Sequence, residues 1–429
     1  MNRQRFVWLL AYAAVLLFLT AAVQRISPHI TSRLATITSL VEQGTFAIDR
    51  SVYLDTVDKI QIDGRFYSHQ PPAVAVLGAA IYYPLRLFGM RLSPDRPASY
   101  VVLTFILNGL ATIAGLVFFF RALHLTAVPP VWRMPITASL ACATLVLPYS
   151  TTLNSHGLGA ALVAIGLSCF VLSLETGSVR VHAMVSGLAF SLAAAADHAM
   201  LAFFGLFALC LLVRKRRLLP WFLLPALATL VPTFAYYYMI GHTLKPFAAR
   251  PEFFVYPGSP WVNAGESTAR LTGASRNSLP FAIKYAALML FGKRGFLLYN
   301  ALACFAIYGC ARAVAARSRY WREALAALAG SLAVLAFYAF SSANFSGASY
   351  SIRWFVPVLP LWWFFGANVV NEIPAWGRWR KALLTMACAL SLMYAFTGTL
   401  NQWPEEWRGL SIPLHNFTHI FNRPLFVPY

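Results

Sequence analysis

Residues 31–72 run TSRLATITSLVEQGTFAIDRSVYLDTVDKIQIDGRFYSHQPP, and they determine the architecture that we expect. The first third has apolar side chains at helical spacing and ends at Gly44, which predicts an amphipathic helix lying at a membrane interface. Asp63-Gly64 predicts a hairpin turn between two short strands. The paired prolines then open an apolar stretch, residues 72–90, which predicts another helix because proline is tolerated in a first turn.

The rest of the chain is strongly apolar. Of its 429 residues, 59% are hydrophobic and 11% are charged, whereas a soluble domain has about 25% charged residues. The mean hydropathy is +0.62, and apolar runs long enough to cross a bilayer core of ~30 Å recur from end to end. The composition predicts an all-α polytopic membrane protein and excludes a soluble enzyme, a disordered chain and a fibrous protein.

The net charge indicates which partners the chain has, and the cysteine pattern indicates whether it has disulfides or a zinc site. The formal net charge is +20. In a membrane protein such an excess marks cytoplasmic loops and contacts with anionic lipid headgroups, so we expect membrane lipids and no nucleic acid as partners. The six cysteines lie inside or at the ends of apolar runs, without CxxC spacing, and therefore predict neither a disulfide framework nor a zinc site.

The basic clusters predict the topology. Residues 214–217 form a short basic connection that should be cytoplasmic, and this holds only if residues 72–90 stay at the outer face without crossing. About eleven transmembrane helices remain, with a cytoplasmic N-terminus and an extracytoplasmic tail, residues 401–429, in the cell inner membrane. The predicted crossings are 6–23, 99–120, 135–149, 157–174, 183–196, 199–213, 219–239, 295–311, 324–340, 354–370 and 382–399.

This topology leaves one membrane domain, residues 1–429, with its acids divided unequally. The outer loops 24–98 and 241–294 hold most of the loop length, and eleven of the 14 acids fall on the outer side. Chemistry is therefore expected on that side. The three acids predicted to be cytoplasmic are Glu175, Glu323 and Glu372.

Two acids of the first outer loop, Asp55 and Asp58, are the candidate catalytic residues. A carboxylate beside a membrane cavity can take the proton from an acceptor hydroxyl as a general base. It can instead ligate a divalent cation, Mg²⁺ or Mn²⁺, that neutralises a phosphate leaving group, although no motif defines such a metal site. Asp49 and Asp63 are better explained as turn residues.

The order of these segments resembles a known family. The first outer loop, together with PYSTTLNSHG (148–157), LFGKRGFLLYN (290–300) and SGASYSIRWFVPVLP (346–360), is similar to the bacterial GT-C-type membrane glycosyltransferases. These are relatives of the protein O-mannosyltransferases and of the aminoarabinose transferase that acts on lipid A. The resemblance implies a GT-C-like core over residues 1–240, with variable C-terminal helices over 241–429. It also implies transfer of a sugar from a polyprenyl-phosphate carrier to an acceptor glycan, lipid or protein at the outer face.

The family pattern also implies site residues, and this chain departs from it. A carboxylate is expected before Ser32-Arg33, an acid and a lysine before the paired prolines, and an acid in the second outer loop. The residues that stand at these places are Ile30 and Thr31, His69 and Gln70, and Asn154, Ser155 and His156. Gln70 brings no charge to a phosphate, so a neighbouring cation has to supply it.

The remaining candidates follow from charge and position. His156 begins a membrane helix and is a candidate catalytic residue, with a structural role in the core as its alternative. Asp197-His198 interrupts two apolar helices, where an ionisable pair is a functional candidate or the end of a helical hairpin. The candidate substrate-binding residues are Arg33, Lys59, Arg65, His69, Gln70, Lys293, Arg294 and Arg353.

Two other functions fit the same sequence. One is a lipid or solute transporter with an anion-binding outer cavity. Inverted repeats would favour that function, and the chain has no convincing internal symmetry. A catalytically inactive relative of the GT-C enzymes would explain the missing acid and lysine. Turnover of a lipid-linked donor by the purified protein distinguishes the enzyme from both alternatives.

Overall fold

A computed structural model describes residues 3–23, 26–175, 179–261, 278–342 and 344–404. The predicted outer tail beyond residue 404 and residues 262–277 of the second outer loop lie outside these ranges. The described α-helices are α1 (Arg3–Ala22), α2 (Pro28–Gln43), α3 (Pro72–Leu87), α4 (Pro97–Thr104), α5 (Ala111–Ala122), α6 (Pro130–Cys142), α7 (Val146–Ser150), α8 (Ser155–Glu175), α9 (Val179–Ala196), α10 (Leu201–Lys215), α11 (Leu219–Gly241), α12 (Leu279–Phe291), α13 (Phe296–Tyr299), α14 (Ala303–Ala315), α15 (Trp321–Ser341), α16 (Leu359–Gly366) and α17 (Arg378–Leu400).

The first outer loop folds as the sequence predicts. Helix α2 ends at Gly44, whose φ of 68° is the left-handed conformation that favours glycine. Strands β1 (Lys59–Ile62) and β2 (Arg65–Ser68) pair antiparallel. Asp63 and Gly64 form their turn with φ values of 48° and 77°, as a two-residue hairpin of right-handed twist requires.

The membrane-spanning character of the chain is clear, although the number of crossings stays a prediction. Among the described residues, six helical segments are long and apolar enough to span a bilayer. A seventh is present if the segment Leu279–Tyr299 and helix α14, which meet at a bend of 97°, form one span. Helix α8 lies at the centre of the bundle, because 83% of its most apolar 18-residue stretch is buried inside the protein. The polytopic all-α fold is confirmed.

Three ion pairs lie at the end of the bundle away from the first outer loop. Each pair joins one of the acids predicted to be cytoplasmic to a basic residue predicted for the same side. The structure thus groups the loops as charge parity predicts, while the assignment of this end to the cytoplasm rests on the positive-inside rule. The pairs are Arg214–Glu323 (2.8 Å), Arg312–Glu372 (3.1 Å) and Arg319–Glu175.

Helix α3 does not carry the chain to that far end. The loop after it turns back, because the backbone N–H of Leu92 donates to the hydroxyl of Tyr82 at 3.1 Å. Near the start of α4, the hydroxyl of Tyr100 lies 3.5 Å from that of Thr152, close to the start of α8. Both ends of the segment from α3 to α4 therefore lie at the end of the bundle that holds the first outer loop, as expected for a helix that stays at one face.

A π-helical turn, Phe105–Leu110, joins α4 to α5. It places Asn108 so that the side-chain amide donates to the carbonyl of Asn154 at 3.0 Å. The side chain of Asn154 in turn accepts from the backbone N–H of Gly157 at 2.6 Å. These bonds fix the loop that precedes α8, and π turns of this kind are frequent at functional sites.

Candidate functional site

Helix α2 supplies the first two site residues. His29 and Arg33 are four residues apart, and Arg33 Nη1 donates to the carbonyl of His29 at 3.1 Å. Arg33 Nη2 donates to Gln70 Oε1 at 2.7 Å and lies 3.4 Å from Ser155 Oγ. This one guanidinium therefore links α2, the segment before α3 and the start of α8.

His29 connects Asp58 to Arg353. Its Nδ1 contacts Asp58 Oδ2, and its Nε2 lies 2.9 Å from Arg353 Nη2. Because arginine can only donate, Nε2 accepts and the ring proton sits on Nδ1, facing the carboxylate. The His29 ring is therefore neutral, and both of its nitrogens are occupied.

The environment of this pair agrees with a neutral imidazole beside an ionised carboxylate. Burial lowers the pKa of His29 from 6.5 to about 4, against the opposing effect of Asp58. Burial raises the pKa of Asp58, but the His29 ring and the nearby Arg353 outweigh it, so the pKa lies well below its ordinary value. Asp58 is consequently a weak base.

His69 and Gln70 occupy the positions where the family pattern has an acid and a lysine. Gln70 Nε2 lies 2.7 Å from His69 Nε2 and 3.1 Å from His29 Nδ1. His69 Nδ1 lies 3.4 Å from the backbone oxygen of Asp58. Gln70 therefore accepts from Arg33 with its carbonyl and donates to His69 Nε2 with its amide, as a neutral connector.

A second histidine–carboxylate pair lies at the start of α8. His156 Nδ1 is 3.0 Å from Asp197 Oδ2, and both residues are buried. Asp197 Oδ1 also accepts from the hydroxyl of Tyr338 at 3.0 Å and from the backbone N–H of Ala199 at 3.2 Å. Asp197 follows the last residue of α9 and caps the short 3-10 helix His198–Met200, so the predicted break between two helices is where the carboxylate lies.

Arg353 reaches the site from a tightly turned loop. Its guanidinium carbon lies 4.9 Å from the centre of the Trp403 ring, a cation–π contact. Arg294 holds this loop by donating to the carbonyls of Gly347 (2.8 Å) and Ser349. Arg294 therefore positions the loop that bears Arg353.

No described carboxylate forms an ion pair with Arg33 or Arg353. The two side chains belong to residues that are 4% and 7% exposed, and each has a buried Nε without a hydrogen-bond partner among the described residues. Burial lowers the pKa of Arg33 from 12.5 to about 9 and lowers that of Arg353 as well. Because a buried charge without a counter-ion is costly, this pair of guanidinium groups suits an anion from outside the chain.

Three side chains of the site also form a candidate cation set. Ligand atoms of His29, Asp58 and His69 all lie within 4.8 Å of one another. Two imidazoles and one carboxylate match Zn²⁺ or Mn²⁺ better than Mg²⁺, which prefers oxygen ligands. The guanidinium of Arg353 beside His29 opposes a cation at this position.

Comparisons with known proteins bear on the fold. No family model matches the chain, and no curated protein matches its sequence. The structure is similar to that of ArnT from Cupriavidus metallidurans bound to undecaprenyl phosphate, with a TM-score of 0.54 and 17% identity over 93% of this chain and 66% of ArnT. ArnT in the apo state gives a TM-score of 0.53 and 17% identity over 92% of this chain and 65% of ArnT. This chain has the ArnT fold. It spans about two thirds of the length of ArnT.

A third structure is more distant. The archaeal oligosaccharyltransferase AglB from Archaeoglobus fulgidus, in complex with an inhibitory peptide and a dolichol-phosphate, aligns with a TM-score of 0.45. Its identity is 12% over 100% of this chain and 62% of AglB. The fold assignment rests on the similarity to ArnT, and it agrees with the GT-C-like architecture that the sequence resembles.

Within the ArnT fold, several predicted site residues lie outside the cluster. Asp55 and Arg65 are exposed on the first outer loop. Lys59 Nζ donates to the carbonyl of Leu54 at 2.7 Å. Lys293 is exposed. The cluster does include Arg33, Asp58, His69, Gln70, His156 and Arg353.

The structure adds three residues that the sequence analysis did not name: His29, Tyr338 and Trp403. It also brings in Asp197, which the sequence offered as a functional candidate without a role. A signal existed for His29, because it precedes Arg33 by one helical turn. Asp197 had a signal too, as an acid between two apolar helices. Tyr338 and Trp403 have no distinguishing sequence signal, since aromatic residues near the ends of membrane helices are common.

Proposed function

We propose that this chain is a membrane glycosyltransferase that takes a sugar from a polyprenyl-phosphate-linked donor. The acceptor would be a glycan, lipid or protein at the outer face of the cytoplasmic membrane. The observation that carries the proposal is the pair of buried guanidinium groups, Arg33 and Arg353, with no described carboxylate paired to either. A phosphate or phosphodiester is the anion that arginine binds best, by charge-assisted hydrogen bonds.

The surroundings support a lipid-borne phosphate. The site lies at one end of an apolar helical bundle, so a ligand with a long apolar tail can reach it while the tail stays among helices or in lipid. The similar ArnT structure is bound to undecaprenyl phosphate, which is a ligand of this class. Binding would place a negative charge next to two buried arginines that form no ion pair with a described carboxylate.

The roles of the remaining groups follow from their contacts. Gln70 and Trp403 hold the two guanidinium groups in place. Asp58 keeps His29 in the tautomer that accepts from Arg353. In the transfer, the leaving polyprenyl phosphate gains negative charge, and prearranged cations at that position stabilise the transition state.

The test is turnover of the donor by the purified protein in nanodiscs. A panel of undecaprenyl-phosphate sugars is supplied together with a membrane and cell-wall acceptor extract, and release of undecaprenyl phosphate is measured. We expect release with at least one donor, and a loss of about tenfold or more in kcat/KM for Arg33→Gln and Arg353→Gln, since each removes a charge-assisted bond. Arg91→Gln is the matched control, because Arg91 is exposed on the same outer loop.

Other outcomes point to the alternatives. Tight binding of undecaprenyl phosphate without turnover of any donor would identify an inactive relative. Counterflow of a labelled lipid or solute in proteoliposomes, without turnover, would identify a transporter. Turnover that both arginine variants retain in full would contradict the phosphate site.

A further inference from the structure

The site contains two buried histidine–carboxylate pairs, and they differ in one respect. In the pair His29–Asp58, the second ring nitrogen of His29 already accepts from Arg353 at 2.9 Å. In the pair His156–Asp197, only Nδ1 of the histidine has a hydrogen-bond partner among the described residues. A base needs a free lone pair within reach of its substrate, so only the second pair has an imidazole nitrogen to offer.

The tautomer of His156 is determined by its partner. Asp197 accepts from three donors, namely His156 Nδ1, the hydroxyl of Tyr338 and the backbone N–H of Ala199. An ionised carboxylate has no proton to give, so the ring proton of His156 sits on Nδ1 and Nε2 carries the lone pair. The His156 side chain retains 9% exposure, which leaves the ring open to a small group.

The position of this pair relative to the arginines is appropriate for catalysis. Ser155, the neighbour of His156, lies 3.4 Å from Arg33 Nη2 through its hydroxyl. Tyr338, which holds Asp197, stacks on Trp354 at a ring distance of 4.1 Å, and Trp354 follows Arg353 in the chain. His156 is therefore connected to Arg33 through its neighbour Ser155. It is connected to Arg353 through Asp197, Tyr338 and Trp354.

We infer that His156 is the general base that deprotonates the acceptor hydroxyl, and that Asp197 and Tyr338 are the residues that position it. This inference rests on the proposed glycosyl transfer. The acceptor oxygen forms a bond to the anomeric carbon as the bond from that carbon to the phosphate oxygen breaks. The hydroxyl proton passes to His156 Nε2, and the electron pair of the broken bond leaves with the polyprenyl phosphate. Asp197 stabilises the imidazolium that results, as a carboxylate does for a catalytic histidine.

Three variants test the assignment in the nanodisc turnover assay. His156→Ala should lower kcat by about 10²–10⁴-fold, the range of a positioned general base, and added imidazole should restore part of the rate. Asp197→Asn is nearly isosteric. Its amide can donate to His156 Nδ1, which places the ring proton on Nε2 and removes the base, so kcat should fall while the Kd for undecaprenyl phosphate stays unchanged. His198→Gln is the matched control, because His198 is the adjacent histidine and contacts Tyr237.

The results separate this inference from the proposed function. Turnover by the wild-type protein with unchanged kcat in His156→Ala overturns the inference alone. The inference is also overturned if imidazole does not restore the kcat lost in His156→Ala and Asp197→Asn keeps the wild-type kcat. Absence of turnover by the wild-type protein with every donor overturns the proposed function, and this inference with it. Rescue of His156→Ala by imidazole, combined with a loss in Asp197→Asn that is confined to kcat, supports the inference. A merely structural role would produce neither result.

Discussion

Replacing Arg353 by methionine is expected to separate lipid binding from folding. Methionine fills a similar volume without charge, so the variant removes a buried cation that forms no ion pair with a described carboxylate and interacts with Asp58 and Asp197 at longer range. The variant also loses the bond to His29 and the contact with Trp403, the latter worth about 0.5–2 kcal/mol. A buried unpaired charge costs several kcal/mol, so the lipid-free variant should be at least as stable as the wild-type protein.

The same substitution should weaken the binding of undecaprenyl phosphate. Hydrogen bonds to charged groups contribute about 1.5–3 kcal/mol, so loss of the Arg353 interaction with phosphate should raise the Kd by about 100-fold. At a lipid concentration near 100 times the wild-type Kd, bound lipid stabilises the wild-type protein by about 2.7 kcal/mol. At that concentration the variant would gain only about 0.4 kcal/mol.

The assay is thermal unfolding in nanodiscs with and without undecaprenyl phosphate, followed by intrinsic fluorescence. We expect a large lipid-dependent rise in Tm for the wild-type protein and almost none for Arg353→Met. Arg91→Met, at an exposed position of the first outer loop, should keep the full rise. A variant that is less stable without lipid yet retains the wild-type rise in Tm would show that Arg353 serves the fold and not the anion.

Three further predictions concern pH, packing and cations. Burial lowers the pKa of His29 to about 4 in the folded chain, against 6.5 when the chain is unfolded. As the pH drops from about 6.5 to 4, the unfolded chain therefore takes up a proton before the folded chain does, and Tm should fall. His29→Gln should flatten this dependence. A Cβ on Gly187 would lie 1.8 Å from the carbonyl oxygen of Phe222, whereas one on Gly205 meets nothing within 4 Å. Gly187→Ala should therefore lower the free energy of unfolding by roughly 1–3 kcal/mol, and Gly205→Ala should lower it far less. Equal Tm values for the two variants would contradict this. Because Arg353 opposes a cation beside His29, calorimetry should show Mn²⁺ binding at the set of His29, Asp58 and His69 in Arg353→Met and not in the wild-type protein. Binding of Mn²⁺ to the wild-type protein that Asp58→Asn abolishes would contradict this.

The sequence predicts those features that depend on neighbouring residues. The hairpin at Asp63-Gly64 is confirmed, because turn chemistry is local. The end of α2 at Gly44 is likewise confirmed, but the helix begins at Pro28, three residues earlier than predicted. Pro28 extends the helix because its fixed φ suits a first turn. The grouping of loops at the two ends of the bundle was also predictable, because it depends on charge.

The site itself depends on contacts that no local pattern encodes. His29 and Arg353 are 324 positions apart, and His156 and Asp197 are 41 apart. Asp55 and Asp58 show the difficulty, because both are acids of one short segment, yet only Asp58 is buried in the cluster. Sequence spacing identified the loop that contributes to the candidate site, and tertiary packing determined which of its acids is buried there.

The π-helical turn between α4 and α5 has a consequence for how this protein tolerates insertions and deletions. A π turn holds one residue more than the α-helical turn it replaces. Deleting a single residue from Phe105–Leu110 would restore a regular helix and rotate Asn108 away from Asn154, to which it donates at 3.0 Å. The loop before α8 would then lose its anchor although no residue of the site had changed. A one-codon deletion between α4 and α5 would thus act on the site from a distance.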